Sequence, residues 1–145
     1  MPLVKDLLAK RNAYVVQVGE QQSVMDAARL MKQHRIGCVV VTRKDRVVGI
    51  FTERDILMRV VAEGRDPNGV PVAQVMSTPV AVCTPETTVD ECTATITEKR
   101  HRHLPVVERG QLVGLISSGD LLANQVREHE TTITYLKEYM YSSTR

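Results

Sequence analysis

The chain has 145 residues, of which 43% are hydrophobic and 25% are charged. This is about one domain's length with an ordinary globular composition, which excludes a disordered chain and a coiled coil as readings of the whole protein. Nineteen Lys and Arg against seventeen Asp and Glu leave a net charge of +2, too small to indicate a nucleic-acid or membrane surface from charge alone.

Residue types that the chain uses sparingly exclude further classes. Trp is absent and Phe51 is the single Phe, so the core must be aliphatic and a stacking surface for single-stranded nucleic acid is not expected. Cys38, Cys83 and Cys92 are odd in number and lack CxxC spacing, which indicates buried free thiols in a reducing compartment. The first residues carry charges before any long apolar run, so we expect neither a signal peptide nor a membrane span, and a cytoplasmic location.

An internal repeat organises the chain. A shift of 65 positions places Gly49 on Gly114 and Asp55 on Asp120, and no gap is needed across the core of the match. Many apolar residues coincide in the same register. Because a Gly, a hydroxyl and an Asp align together, we interpret the two halves as a duplication.

The first copy predicts a strand, a helix, a hairpin and a second helix. Tyr14–Val18 is a short apolar strand, and Ser23 is the expected N-cap of a helix. Strands Val39–Val41 and Val47–Phe51 are joined by a polar turn, and the second helix opens at Asp55 and ends at Gly64. A linker then runs from Arg65 to Pro71.

The second copy predicts the same elements. They are strand Pro79–Cys83, a helix with a capping box at Thr88 and Glu91, the hairpin strands Leu104–Val107 and Leu112–Ile116, and a helix from Asp120. We predict an α/β (α+β) fold of two β-α-β-β-α units related by pseudo-twofold symmetry, because each is too small to close a core alone. Equivalent clefts should lie between them. The expected divisions are 1–66, 72–126 and a C-terminal helical extension, 127–145.

Both copies carry Gly-apolar-x-Ser/Thr-x-x-Asp at the end of the third strand. Thr52 and Ser117 supply the hydroxyl, and Asp55 and Asp120 supply a carboxylate in the first turn of the following helix. A carboxylate only accepts hydrogen bonds, which suits a ribose diol, while a hydroxyl and free N–H groups at a helix start suit a phosphate. The alternative is a plain N-cap with a first-turn acid, which one copy alone would favour; repetition in register favours the ligand interpretation.

These residues resemble a tandem pair of CBS domains, often called a Bateman module. The resemblance covers about Val4 to Val126, with Met76-Ser77-Thr78-Pro79 and His103-Leu104-Pro105-Val106-Val107 as further typical segments. It implies a regulatory protein that binds AMP, ADP, ATP, NAD or S-adenosylmethionine in its clefts and does not catalyse a reaction.

The resemblance also implies binding residues by position. Asp55 and Asp120 would hold ribose, and Thr52 and Ser117 would contact phosphate. The other implied positions are Tyr14, Val16, Thr78 and Val80 around the base, Cys38, Arg102, His103 and Pro105 at the start of the second strand, and Arg54 beside the hydroxyl.

The two copies differ at the phosphate end. Arg102-His103 in the second copy corresponds to Gly37-Cys38 in the first, so basic side chains come from one copy. Arg54 would partly compensate, because Gly119 replaces it in the second copy. We therefore expect the clefts to differ in affinity or ligand.

The basic run Lys99–His103 has four interpretations. Lys99 and Arg100 fit a solvated helix end that complements the helix dipole, whereas Arg102 and His103 fit phosphate contacts. A metal site at His101 and His103 lacks a nearby Cys or carboxylate at ligand spacing, so we expect no metal. Nucleic-acid binding through this run is a further alternative.

The tail beyond Val126 contains a helical seam. Apolar residues and one histidine recur at alternating steps of four and three, at Leu122, Val126, His129, Ile133, Leu136 and Met140. The seam would either pack on its own module or form a homodimer contact. Tyr135, Tyr139 and Tyr141 would edge the seam or cap a cleft.

The sequence therefore favours a nucleotide sensor without catalytic cofactors that acts on an unknown effector protein. An enzyme is not expected, because there is no P-loop, no dinucleotide-binding glycine pattern and no credible catalytic triad. A structural dimerisation module with empty clefts is the remaining alternative.

Overall fold

A computed structural model describes residues 2–10, 15–99 and 101–143, with side chains up to residue 140. The strands are β1 (Gln17–Gly19), β2 (Cys38–Arg43), β3 (Arg46–Thr52), β4 (His103–Glu108) and β5 (Gln111–Ser117). The helices are α1 (Val4–Ala9), α2 (Val24–His34), α3 (Glu53–Asp55), which continues as the π-helical stretch Ile56–Val61, then a 3-10 turn Val72–Gln74, α4 (Val89–Lys99) and α5 (Ser118–Ser143). The predicted mixed fold of two units with a C-terminal helix is confirmed.

The first unit contains a three-stranded sheet in the order β1-β2-β3. β1 runs parallel to β2, and β2 is antiparallel to β3 with Arg43 paired to Arg46. The hairpin turn consists of Lys44 and Asp45, whose φ angles are 50° and 65°. Two successive positive φ angles give a turn whose twist matches that of the flanking strands. The predicted hairpin is therefore formed.

The second unit contains only the β4-β5 hairpin, so the predicted strand Pro79–Cys83 is wrong. Cys83 alone forms a bridge, through bonds from its N–H to Pro105 O (2.9 Å) and from Val107 N–H to its carbonyl (2.8 Å). In the first unit the next bond of this ladder is Val40 N to Val16 O at 3.2 Å. Pro105 occupies the position equivalent to Val40 and has no N–H to donate. The parallel ladder therefore stops at one bridge.

The first strand also differs from its prediction. β1 begins at Gln17 and ends at Gly19, whereas the sequence predicts Tyr14–Val18. Tyr14 lies outside the described residues. Val16 is just before the strand, and its carbonyl accepts the bond from Val40.

Two predicted helix caps are confirmed. Ser23 Oγ accepts from Asp26 N–H at 3.0 Å, and Thr88 Oγ1 accepts from Glu91 N–H at 3.1 Å. Glu91 returns the contact, because its carboxylate accepts from Thr88 N–H at 3.3 Å. These pairs satisfy N–H groups that a helix start leaves without intrahelical partners.

The second helix of each unit begins two residues earlier than predicted. Thr52 is the N-cap of α3, and Asp55 is its third residue rather than its first. The first-unit helix then widens into a π-helix, with Ala62 N–H bonded to Leu57 O, and ends at Val61, three residues before the predicted end at Gly64, whose φ is +67°. In the second unit, helix and tail form one continuous helix, α5.

Each unit has its own core, and the segment preceding one unit packs into the other. Val4 and Leu7 of α1 belong to the core of the second unit, together with Leu104, Val106 and Ile116 among others. Val70, Val72 and Val75 of the connection pack into the core of the first unit. The two units are thus joined by two exchanged segments, α1 and the connection that contains Val70, Val72 and Val75. The units also face each other across the clefts.

No helix among the described residues is long and apolar enough to cross a membrane.

Candidate functional site

Two neighbouring clefts lie between the units. One, of about 380 Å³, includes Ser117 and Asp120 in its lining, and we name it the Asp120 cleft. The other, of about 510 Å³, includes Thr52 and Asp55, and we name it the Asp55 cleft. Each is large enough for part of a small-molecule ligand.

The repeated glycine lets chain segments approach the third strand of each hairpin. A Cβ on Gly49 would lie 2.6 Å from Met76 Sδ, and a Cβ on Gly114 would lie 2.9 Å from Leu8 side-chain carbons. Real Cβ atoms do not come so close to other heavy atoms. The glycine thus allows the exchanged segments to form one side of the clefts.

The Asp120 cleft has mainly apolar walls with one polar end. Leu8, Val15, Val16, Ile36, Val113 and Leu115 supply the apolar part. Gly37, Cys38, His103, Gly114, Ser117 and Asp120 complete the lining. Burial raises the pKa of the Cys38 thiol to about 12, so it is neutral and brings no negative charge to the cleft. Such a cleft suits a flat, weakly polar ring system joined to a group that offers hydroxyl donors.

The Asp55 cleft is polar and rich in basic side chains. Arg54, Arg59, His101, Arg102 and His103 line it, against the two acids Glu53 and Asp55. Gly37, Ile50, Thr52, Met58 and Ser77 complete the lining. This set suits an anion with several negative charges.

Both repeated motifs form capping boxes. Thr52 N–H donates to Asp55 Oδ2 at 3.0 Å, and Asp55 N–H donates to Thr52 Oγ1 at 3.2 Å. Ser117 N–H donates to Asp120 Oδ2 at 2.7 Å, and Asp120 N–H donates to Ser117 Oγ at 3.1 Å. Each motif therefore forms the alternative structure, an N-cap paired with a first-turn acid. The residues of each motif also line a cleft.

The two aspartates differ in exposure. Asp55 is 5% exposed, and its carboxylate also accepts from Ser77 Oγ at 3.0 and 3.2 Å and from Thr52 Oγ1 at 3.2 Å. Arg59 Nε lies 3.7 Å from Asp55 Oδ1. Asp120 is partly exposed in the lining of its cleft. Asp55 is thus committed to holding the protein together, whereas Asp120 faces ligand-accessible space.

The basic residues gather in one cleft. The sequence suggests that Arg54 would compensate for the missing basic pair of the first copy, but Arg54 and Arg102 line the same cleft. The reason is the packing of the units, which brings the start of β4 opposite the start of α3. The Asp120 cleft has no Arg or Lys in its described lining. The charge difference between the clefts is therefore larger than the sequence indicates.

His103 lies where the clefts meet, since it lines both. Burial lowers its pKa below the ordinary value of 6.5, and Arg102 acts in the same direction. Asp120 and Glu53 oppose this shift. His103 is therefore neutral at pH 7 while no anion is bound beside it.

Several predicted binding residues lie away from the clefts or outside the described residues. Thr78 is exposed, and its hydroxyl donates to Val48 O at 3.0 Å. Val80 lines neither cleft, and Pro105 is buried within β4. Tyr14 is outside the described residues. The remaining predicted binding residues line one or both clefts; they are Val16, Cys38, Thr52, Arg54, Asp55, Arg102, His103, Ser117 and Asp120.

Sequence reasoning missed three residues of the Asp55 cleft. Ser77 lies 22 positions from Asp55 and donates to its carboxylate. It belongs to the segment Met76-Ser77-Thr78-Pro79, in which only Thr78 is predicted to bind ligand. Arg59 donates to Met76 O at 2.9 Å and so ties the π-helical stretch to that segment. His101 also lines the cleft. Among the described residues, no group of three or more His, Cys, Asp or Glu could hold a metal ion.

The chain thus contains a duplicated α/β unit with two clefts between its copies. The family model for the CBS domain matches residues 4–62 and 72–127, so the chain belongs to the CBS-domain family. Proteins built from CBS-domain pairs are generally regulatory or signal-transduction modules.

Relatives and solved structures agree with this assignment. CBS domain-containing protein YhcV of Bacillus subtilis is 36% identical over 126 residues, which cover 87% of each chain. The CBS-domain containing protein ATU1752 from Agrobacterium tumefaciens has a TM-score of 0.78 at 40% identity, with 85% of this chain and 98% of that one covered. A hexameric CBS-CP12 protein from bloom-forming cyanobacteria has a TM-score of 0.73 at 31% identity, with 83% and 70% covered.

Proposed function

We propose that this protein is a non-catalytic, cytoplasmic sensor that binds an adenine nucleotide between its CBS units and signals the bound state to a partner protein. AMP, ADP, ATP, NAD and S-adenosylmethionine are the ligands to test. CBS-domain proteins generally bind adenosine ligands, which supports this class of ligand. The free cysteines Cys38, Cys83 and Cys92 fit a reducing compartment.

The observation that carries the proposal is the Asp120 cleft. Its apolar walls fit a purine ring, and the Asp120 carboxylate at its polar end can accept from ribose hydroxyls. Ser117 lies beside it at the start of α5, where a helix N-terminus favours negative charge. No other cleft of the described residues combines an apolar wall with a partly exposed acid in this repeated motif.

The basic run Lys99–His103 offers little support for nucleic-acid binding. His101, Arg102 and His103 line the Asp55 cleft, so three members of the run face a site between the units rather than an open surface. Lys99 is exposed at the end of α4, and Arg100 lies outside the described residues. A small anion in the cleft uses these side chains better than a duplex would.

Exposed apolar residues on equivalent helices support a homodimer as the assembled form. Leu57 and Val61 are 57% and 62% exposed, and their counterparts Leu122 and Val126 are 60% and 44% exposed. The repeat relates these pairs, and a second copy of the chain that covers them would bury both. The seam of α5 continues from Leu122 along the same helix.

Thermal unfolding with each ligand tests the proposal. Saturable stabilisation is expected, about 2.7 kcal/mol at a ligand concentration of one hundred times Kd. 2′,3′-Dideoxyadenosine serves as the matched ligand without the diol, and Asp120→Ala should reduce binding of adenosine but not of this analogue. If none of the five ligands shifts the unfolding of the parent protein, it is not an adenine-nucleotide sensor, and a structural role is left.

A further inference from the structure

We propose that the two clefts form one site for a single nucleotide with two or more phosphates, whose nucleoside lies in the Asp120 cleft and whose phosphates lie in the Asp55 cleft. This inference rests on the proposed function and specifies the ligand class and the stoichiometry, one nucleotide per chain.

The clefts are contiguous. Gly37 and His103 each line both of them. Gly37 stands where the second copy has Arg102, so position 37 contributes no side chain to the passage. The Glu53 carboxylate borders the passage instead, because a Cβ at Gly37 would lie 3.2 Å from Glu53 Oε1. A chain of phosphates between the clefts would pass this acid, and the basic side chains of the Asp55 cleft would offset its charge.

The chemistry of the clefts is complementary. The Asp120 cleft offers apolar walls and a carboxylate but no Arg or Lys in its described lining. The Asp55 cleft offers Arg54, Arg59 and Arg102. Arg59 already donates to Met76 O and lies 3.7 Å from Asp55 Oδ1, so Arg54 and Arg102 are the guanidinium groups that a phosphate would engage. A nucleoside alone would not contact these two groups, and a phosphate confined to the Asp120 cleft would meet Asp120 without a permanent cation. A polyphosphate nucleotide that spans the junction matches both halves.

Asp55 is poorly placed to hold a second ribose. Its carboxylate is 5% exposed and already accepts from Thr52 N–H, Thr52 Oγ1 and Ser77 Oγ. A ribose diol would have to displace these donors, which would leave partly buried polar groups without partners. The repeated motif thus supplies a ribose acceptor at Asp120 and a set of structural hydrogen bonds at Asp55.

His103 provides a further positive charge at the junction once phosphate arrives. The charged and titratable groups that face it are Asp120 on α5, Arg102 immediately before β4 and Glu53 on α3. A phosphate beside it favours the imidazolium, so a proton is taken up on binding of the phosphorylated ligand only.

Titration calorimetry of the full chain without divalent cations tests the inference. Adenosine, AMP, ADP and ATP are compared on the parent, on Arg102→Ala and on Arg29→Ala, an exposed arginine of α2 outside the clefts. We expect one ATP per chain and an affinity that rises by about tenfold or more from adenosine to ADP. Arg102→Ala should remove most of this rise and leave adenosine binding unchanged, and Arg29→Ala should change neither.

Inorganic pyrophosphate separates one spanning site from two separate sites. It should compete with ATP and yet bind together with adenosine. Gly37→Leu should narrow the passage, so that the gain in affinity from the phosphates is lost. Two ATP per chain, or pyrophosphate that binds together with ATP, would overturn the inference while the sensor function stands. Failure of every adenine compound to bind the parent would instead reject the proposed function.

Discussion

Asp55 and Asp120 occupy equivalent positions in the repeat and have different surroundings. The Ser77 hydroxyl and the Arg59 guanidinium lie against Asp55, which is 5% exposed. The same motif can therefore serve structure in one copy and binding in the other. This division arises from contacts between distant segments, not from the motif itself.

Replacing each aspartate by Ala should separate stability from binding. Asp55→Ala should lower the free energy of unfolding by about 1–3 kcal/mol, because Thr52 N–H and Ser77 Oγ lose their acceptor in a partly buried place. Asp120→Ala should instead cost about 1–3 kcal/mol of adenosine binding. Urea unfolding and calorimetry measure the two effects. Equal losses of stability in both variants, with unchanged adenosine affinity, would contradict the assignment.

The lowered pKa of His103 predicts that the free energy of unfolding falls at acid pH. Its folded pKa lies below the ordinary value of 6.5, so the unfolded chain takes up a proton at higher pH than the folded chain does. The stabilisation from neutral His103 is full above about pH 6.5 and is lost as pH falls toward its folded pKa. Urea unfolding at about pH 7 and about pH 5.5 should show a smaller fall for His103→Gln than for the parent. An identical fall in both proteins would mean that another group governs it.

At the scale of elements, α5 stands out because its outer half lacks a covering surface. Among the described side chains of this helix, Leu121 and Asn124 are buried, and every described residue after Asn124 is exposed. Ile133, Leu136 and Met140 are 51%, 50% and 62% exposed. The interpretation in which the seam packs on its own module does not fit these exposures. Apolar residues at this spacing on an exposed helix are typical of a helix that packs against another helix, so a second copy of α5 is the partner that we expect.

Truncation after Arg127 removes the outer seam and should yield a smaller particle in light scattering. Ile133→Asp should have the same effect, because a charge in an apolar seam is costly to bury. Thr134→Asp, one position away from the seam, is the matched control and should leave the particle unchanged. An assembly that survives both truncation and Ile133→Asp would place the contact elsewhere, with the exposed face of Leu57 and Val61 as the next surface to test.

The elements differ in how far the sequence predicts them. The helix caps at Ser23 and Thr88 and the hairpin turn at Lys44 and Asp45 depend on residues within three positions, and they form as predicted. The prediction of a strand at Pro79–Cys83 was wrong, because formation of this strand depends on Pro105, a pairing residue outside the local pattern. The bond from Ser77 to Asp55 was missed for the same reason. Local sequence patterns thus predict the helix caps and turns, whereas contacts between distant residues determine which side chains line the clefts.

At the scale of the whole molecule, the exchanged segments make the stability of one unit depend on the other end of the chain. Leu7 is 5% exposed in the core of the second unit. Leu7→Ala should lower the free energy of unfolding by about 2–5 kcal/mol. Hydrogen exchange should show the loss of protection in α4, β4 and β5 more than in β1 to β3.

Lys5→Ala on the same helix is the control, since Lys5 makes only an exposed pair with Glu86 at 3.2 Å. Its effect should stay within about 1 kcal/mol. A loss of protection confined to the first unit in Leu7→Ala would show that α1 stabilises its neighbour in sequence instead.

The exchange of α1 also sets an order for folding during synthesis. The first unit needs Val70, Val72 and Val75 to fill its core, so it can close soon after that stretch leaves the ribosome. Helix α1 is made before both units, yet Val4 and Leu7 can be buried only after β4 and β5 emerge. Its apolar face therefore stays exposed while the second half is translated, and the nascent chain is vulnerable to aggregation and proteolysis through α1 until β4 and β5 are made.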